Sequence, residues 1–135
     1  MIDKCKRRFV LHDHYASHHH FDFRLERYGT LKSWALPKGL PTTIGEKRLA
    51  IQTPNHPLSY INFQGTIPKG EYGAGTVSIA DAGCYKTLEW SNEKIVIILE
   101  SKKNYGEYIM IPMPGGSQWI MIKTKPRPKK DQWDK

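Results

Sequence analysis

The chain has 135 residues, of which 39% are hydrophobic and 25% charged, and its 21 Lys and Arg against 13 Asp and Glu give a net charge of +8. This length suits one domain, and this composition excludes disordered and collagen-like chains. The longest aliphatic run, residues 95–99, falls far short of the ~20 apolar residues of a spanning helix, so neither a membrane span nor a membrane partner is expected.

Residues 1–8 contain no apolar signal region, which leads us to expect a cytoplasmic protein. Cys5 and Cys84 belong to no CxxC pair and are expected to be reduced and inert. The positive charge is uneven: residues 1–48 hold 10 basic and 5 acidic side chains, residues 49–122 hold 5 and 6, and residues 123–135 hold 6 and 2. Basic charge gathered at both ends suits a polyanionic partner if folding brings those regions together.

In chain order, a short basic arm (1–7) leads into short β-branched or aromatic segments punctuated by Gly, Pro and Asn. Strands are expected over 8–14, 20–27, 30–36, 48–53, 76–80, 94–100, 107–111 and 118–124, with Tyr28-Gly29 as a tight turn. Residues 37–46 and 54–72 carry too much Pro and Gly for a regular helix and are expected as long loops, with at most one helical turn. Residues 126–135 read as a basic mobile tail. The expected fold is a mostly β single domain over 1–135, a small closed or nearly closed β-barrel with long loops and little helix.

Five of the six histidines fall at 12, 14, 18, 19 and 20, and the sixth is His56. Strand alternation puts Phe21, Phe23 and Leu25 on one face and His20, Asp22 and Arg24 on the other. The preceding segment divides likewise into Phe9 and Leu11 against His12 and His14. If the apolar faces pair inward, His12, His14, His20, Asp22 and Arg24 share one polar groove. Two imidazoles and a carboxylate make an open divalent-metal site, with His14, His20 and Asp22 as ligands. Mn²⁺, Zn²⁺ and Fe²⁺ all suit that donor set. His18 and His19 are weaker ligand candidates. Arg24 can fork onto phosphate oxygens, and Lys38, Arg48 and His56, on or beside loops, could also reach a phosphate.

The run from Arg8 to Glu26 (RFVLHDHYASHHHFDFRLE) resembles the 3′-phosphoesterase domain of bacterial DNA ligase D. So do the segments 31–39 (LKSWALPKG), 46–50 (EKRLA), 56–60 (HPLSY), 63–77 (FQGTIPKGEYGAGTV) and 118–123 (QWIMIK). The resemblance implies a metal-dependent enzyme that heals DNA or RNA 3′ ends. It would remove a 3′-terminal ribonucleoside as a diesterase and a 3′-phosphate as a monoesterase, leaving a 3′-OH. It also implies His14, His20 and Asp22 as metal ligands, and Arg24, Arg48 and His56 as the catalytic and phosphate-contacting set. Tyr60 and Lys38 would line the site, and His12 would occupy a position held by Gln or His. The expected cofactor is one divalent metal, Mn²⁺ first, with Zn²⁺ or Co²⁺ as alternatives. Expected partners are nucleic-acid 3′ ends, such as primer-template DNA or RNA-tipped DNA, and a ligase or polymerase acting in trans. Because only about seven residues precede the first strand, the monoesterase is expected ahead of the diesterase. Two alternatives stay open: a non-catalytic basic barrel that binds DNA ends or a repair partner, and a non-haem iron oxygenase using His20, Asp22 and His56.

Overall fold

The computed structural model describes residues 5–126. Its strands are β1 (Arg8–Tyr15), β2 (His19–Arg27), β3 (Thr30–Leu36), β4 (Lys47–His56), β5 (Gly65–Ile67), β6 (Gly75–Trp90), β7 (Ile95–Glu100), β8 (Tyr105–Pro112) and β9 (Gln118–Lys125). All pairings are antiparallel, in the order β1-β2-β3-β4-β9-β8-β7-β6. Pairing of β1 with β6 closes an eight-stranded barrel, and β5 adds a short strand beside β6. Closure leaves the eight barrel strands with neighbours on both sides, which removes the aggregation-prone edges of an open sheet.

Alternation decides which side chains fill the barrel. Phe9, Leu11, Phe23, Leu25, Trp34 and Leu36 from β1 to β3 meet Ile97, Leu99, Tyr108, Met110 and Met121 from the opposite wall. Burying each such side chain contributes about 1.5–3 kcal/mol. The opposite parity of β1 to β3 points outward, where Val10 and Leu31 pack against Ile61 of a 3₁₀ helix, Leu58–Asn62. The segment after β4 therefore folds back over this outer face beside its polar row. Tyr28 and Gly29 form the expected tight turn, both with positive φ.

The structure differs from expectation in four places, the first being β4, which runs on through residues 54–56 of the expected loop. β6 continues well past residue 80, through Asp81-Ala82-Gly83, which reads locally as a turn. Gly83 lets the strand pass there, because a Cβ would collide with the Glu100 carbonyl of β7. β5 lies within the stretch expected to be loop; three residues carry too little pattern to announce a strand. Finally, Cys5 and Cys84 are not free thiols but a disulfide, with Cα atoms 5.4 Å apart. Arg8 is opposite Cys84 in the β1–β6 register and Tyr85 N–H donates to the Arg7 carbonyl, so residues 5–7 run along β6. A pairing across 79 residues is set by barrel closure, which local pattern does not reveal. The 126–135 tail, apart from Pro126, and residues 1–4 of the arm lie outside the described residues.

Candidate active site

Strand register assembles the site on the outer face of the barrel. His14 stands opposite His20, His12 opposite Asp22, and Arg24 opposite Ser33, and directly opposed residues of an antiparallel pair project to the same side. The polar row expected from alternation therefore exists, and most of it is buried: His12, His14, Asp22, Arg24 and Ser33 are all below a tenth exposed. Such groups are tolerated only when their hydrogen bonds are satisfied.

His14 Nδ1 lies 2.8 Å from Asp22 Oδ2, and His20 Nε2 lies 3.2 Å from Asp22 Oδ1. The remote nitrogens have backbone acceptors: His14 Nε2–H donates to the Gly73 carbonyl at 2.7 Å, and His20 Nδ1–H to the His18 carbonyl at 2.9 Å. In the neutral rings those bonds leave the lone pairs of His14 Nδ1 and His20 Nε2 facing a carboxylate. Such a convergence is held together either by a proton shared between imidazole and carboxylate or by a cation. One donor atom from each residue lies within 4.8 Å of the others, so the donor set fits a divalent metal. Burial alone would push the Asp22 carboxyl up, but the His20 hydrogen bond and the Arg24 charge hold it down at about 2. The hydrogen bond to Asp22 raises His20 in turn.

Arg24 is the second element of the site. Its Nε donates to His12 Nδ1 at 3.2 Å and its Nη1 to Ser33 Oγ at 2.9 Å, while Nη2 stands 3.5 Å from Asp22 Oδ2. The Tyr60 ring lies beneath the guanidinium, 5.0 Å from its centre. Nη1 also faces His56 Nδ1 at 3.1 Å. A guanidinium only donates and a carbonyl only accepts, so Nδ1 of the neutral ring either accepts from Arg24 with the proton on Nε2, or donates to the Pro54 carbonyl 3.0 Å away with the proton on Nδ1. Burial, then the Arg24 charge, lowers the His56 pKa and favours the neutral ring.

His14, His20, Asp22, Arg24, His56 and Tyr60 line one cavity of about 240 Å³, joined by Tyr72 and Gly73 from the loop before β6. The other expected site residues lie elsewhere. His12 has no exposed surface and lies behind Arg24, its Nε2–H donating to the Phe63 carbonyl at 3.1 Å, so it supports the guanidinium and cannot touch a substrate. Arg48 shares the parity of core residue Ala50 and pairs with Glu46 at 2.8 Å, outside the cavity lining. Lys38 is exposed beyond β3 and also does not line the cavity. His19 is stacked on Tyr15 and hydrogen-bonded to Asp13 on the opposite face from the ligands. The oxygenase set of His20, Asp22 and His56 does not form, because His56 turns to Arg24 and His14 completes the donor cluster.

Gly73 and Tyr72 went unrecognised in the sequence. Gly73 has φ +76, and a Cβ there would come within 3.3 Å of His14 Cε1. The run Gly70-Glu-Tyr-Gly-Ala-Gly75 signals turns but says nothing about which histidine the turn supports.

Comparison with known proteins identifies the family of the chain. Residues 12–112 match the family model of the DNA ligase D 3′-phosphoesterase domain. The multifunctional non-homologous end joining protein LigD of Mycolicibacterium smegmatis is 41% identical over 87% of this chain, which covers 17% of that protein. The protein of the same name from Mycobacterium bovis is 42% identical over 87% of the chain, covering 16% of its length. The Pseudomonas aeruginosa LigD is 40% identical over 93% of the chain, covering 14% of its length. The chain thus spans about a sixth of the length of these curated relatives and matches one part of them. On that match, the chain belongs to the DNA ligase D 3′-phosphoesterase domain family.

Proposed function

We propose that this protein is a metal-dependent phosphoesterase that heals nucleic-acid 3′ ends, removing a 3′-phosphate and, as a second activity, a 3′-terminal ribonucleoside. The observation that carries the reading is the arrangement of His14, His20 and Asp22. Their inner donor atoms converge and their outer N–H groups are anchored on carbonyls, directly beside a buried, oriented Arg24. Family membership supports the choice of a 3′-phosphoester as substrate.

Mn²⁺ is the proposed metal, held by His14, His20 and Asp22, with Zn²⁺ and Co²⁺ as alternatives; when bound it supplies Lewis acidity to a phosphoryl oxygen or to the attacking water. The protein's own groups do the rest. His12 and Ser33 fix the Nε and Nη1 sides of Arg24, leaving the Nη2 edge to receive phosphoryl oxygens as charge develops on them. Oriented donors of this kind are worth about 10²–10³ in rate. Where His56 Nδ1 accepts from Arg24, its Nε2–H would donate to a phosphoryl oxygen of the bound substrate. A bound phosphate would oppose the Arg24 charge that depresses His56, which suits the same ring to pass a proton to the departing 3′ oxygen. Tyr60 backs both Arg24 and His56, its ring 4.8 Å from the imidazole. Arg48 would reach phosphate only by leaving Glu46, so its place is at the margin. Partners in trans would be a polymerase or ligase that uses the 3′-OH.

The test is a 5′-labelled primer-template whose primer ends in one ribonucleotide, incubated with each divalent metal in turn. Conversion to a 3′-phosphate end and then a 3′-OH end is expected, abolished by chelator. A chelator-insensitive complex with unaltered ends would instead identify a DNA-end binding barrel.

A further inference from the structure

A second cavity, of about 530 Å³, opens at the end of the barrel bearing the β2–β3 and β6–β7 turns. It shares no lining residue with the cavity described above. Alternation accounts for the separation: Trp34 and Gln52, opposite each other in register, face the mouth, while Ser33 and Thr53 face the other side.

The floor of this mouth belongs to the core and includes Trp34 and Trp119, packed edge to face. The indole N–H groups of both are buried and have no acceptor among the described residues. Those two groups are closed off from the mouth, whose own hydrogen-bonding side chains are Gln52, Ser91 and Asn92. The rim is aromatic and cationic. Tyr28, 72% exposed, stands edge-on to Trp90 with ring centroids 6.5 Å apart. The Arg27 guanidinium lies 4.3 Å from the Trp90 ring, and the Lys32 ammonium lies 5.8 Å from that of Tyr28.

The backbone of Tyr28 supplies an independent observation. Its φ of +54 is left-handed, a conformation that Asn, Asp or Gly adopts readily in such a turn and tyrosine only under strain. Asn or Gly would form the same turn with less strain, so what tyrosine adds at this position is its exposed ring.

We infer that the barrel mouth is an accessory site for an unpaired nucleotide, whose base stacks on the exposed Tyr28 ring that Trp90 supports edge-on, and whose phosphate pairs with Lys32. A planar π-face, hydrogen-bonding atoms and a negative charge are what this lining asks for together, and a nucleotide has all three. A mononucleotide and a nucleotide within a strand offer the same chemistry. The inference goes beyond the phosphoesterase reading and does not depend on it.

Calorimetric titration of the full chain tests it, with thymidine monophosphate in one arm and a short single-stranded oligothymidylate ending in 3′-OH in the other. Binding is expected to weaken about tenfold in Tyr28→Asn and in Trp90→Leu, and to survive in His56→Ala. Tyr28→Asn relieves the turn, so its thermal midpoint should equal or exceed that of the wild type, which separates lost binding from lost folding. Binding of the mononucleotide with this dependence assigns the site to free nucleotides, and binding of the strand alone assigns it to a strand. Absence of binding in both arms, or Tyr28→Asn binding as tightly as wild type, overturns the inference. So does an equal loss in His56→Ala, which would return the ligand to the catalytic cavity.

Discussion

His12 accepts the Nε–H of Arg24 at 3.2 Å while its own Nε2–H is tied to the Phe63 carbonyl, so a neutral, fully buried imidazole fixes the orientation of the one buried guanidinium in the site. His12→Leu removes the acceptor and leaves a buried charged donor unpaired, which costs about 1–3 kcal/mol of stability. Phosphate release should fall about 10- to 100-fold through kcat, with KM changing less. His12→Gln keeps an acceptor and a donor and should recover most of the rate. Steady-state kinetics of the two variants check this, because a residue with only a packing role would not be rescued by Gln.

The same histidine sets an acid limit. Burial, then the Arg24 charge, pushes His12 from 6.5 down to about 4. Below pH 6.5 the unfolded chain takes up a proton that the folded protein refuses, so stability falls as pH drops from about 6.5 to about 4 and changes little from this source outside that window. The loss amounts to roughly 3 kcal/mol. The lowered His56 acts in the same direction and the raised His20 in the opposite one. Urea unfolding across this range should show the slope in the wild type and a flatter one in His12→Gln.

The disulfide gives a third expectation. Cys5 and Cys84 close a loop over 79 positions, and the chain-entropy estimate for such a loop is about 4 kcal/mol. Reduction, or Cys84→Ser, should lower the thermal midpoint by roughly 10–20 °C. Phosphate release at 25 °C should be unchanged, since neither cysteine lines the catalytic cavity. Thermal melts with and without reductant, paired with an activity assay, check both halves.

Gly73 is the loop residue most sensitive to a single methyl. Gly73→Ala strains a backbone at φ +76 and presses a Cβ to within 3.3 Å of His14 Cε1, on the ring whose Nε2 it should hold by its carbonyl. Metal affinity, read by titration of Mn²⁺, should drop about 10- to 100-fold, the usual effect of disturbing a ligand's support. The fold should lose about 1 kcal/mol, as expected for Ala at a positive φ.

What could be read from the sequence follows physical range. The barrel strands carry period-two alternation, so most of the sheet and the shared face of His14, His20, Asp22 and Arg24 follow from local pattern alone. His56 does not. A register irregularity between Leu31 and Ser33 in the β3–β4 pairing lets Thr53 and His56, which differ in parity, line the same cavity, and no local rule announces it. Parity also placed His12 on the correct face but not at the correct depth. Its burial depends on Phe63 and Tyr60, from the segment that folds back after β4. The disulfide and the Gly73 support both depend on contacts between distant segments, created by closure of the barrel.

The most direct test of the account is the release of inorganic phosphate from a 3′-phosphorylated primer-template by wild type and Asp22→Asn, measured in Mn²⁺ and in chelator. Asn keeps the shape of Asp22 but removes the charge that holds the donor cluster together. The account predicts Mn²⁺-dependent release by the wild type, lost in chelator and reduced at least about 10²-fold in Asp22→Asn. Equal release by the two proteins, or release by the wild type that ignores chelator, would contradict it.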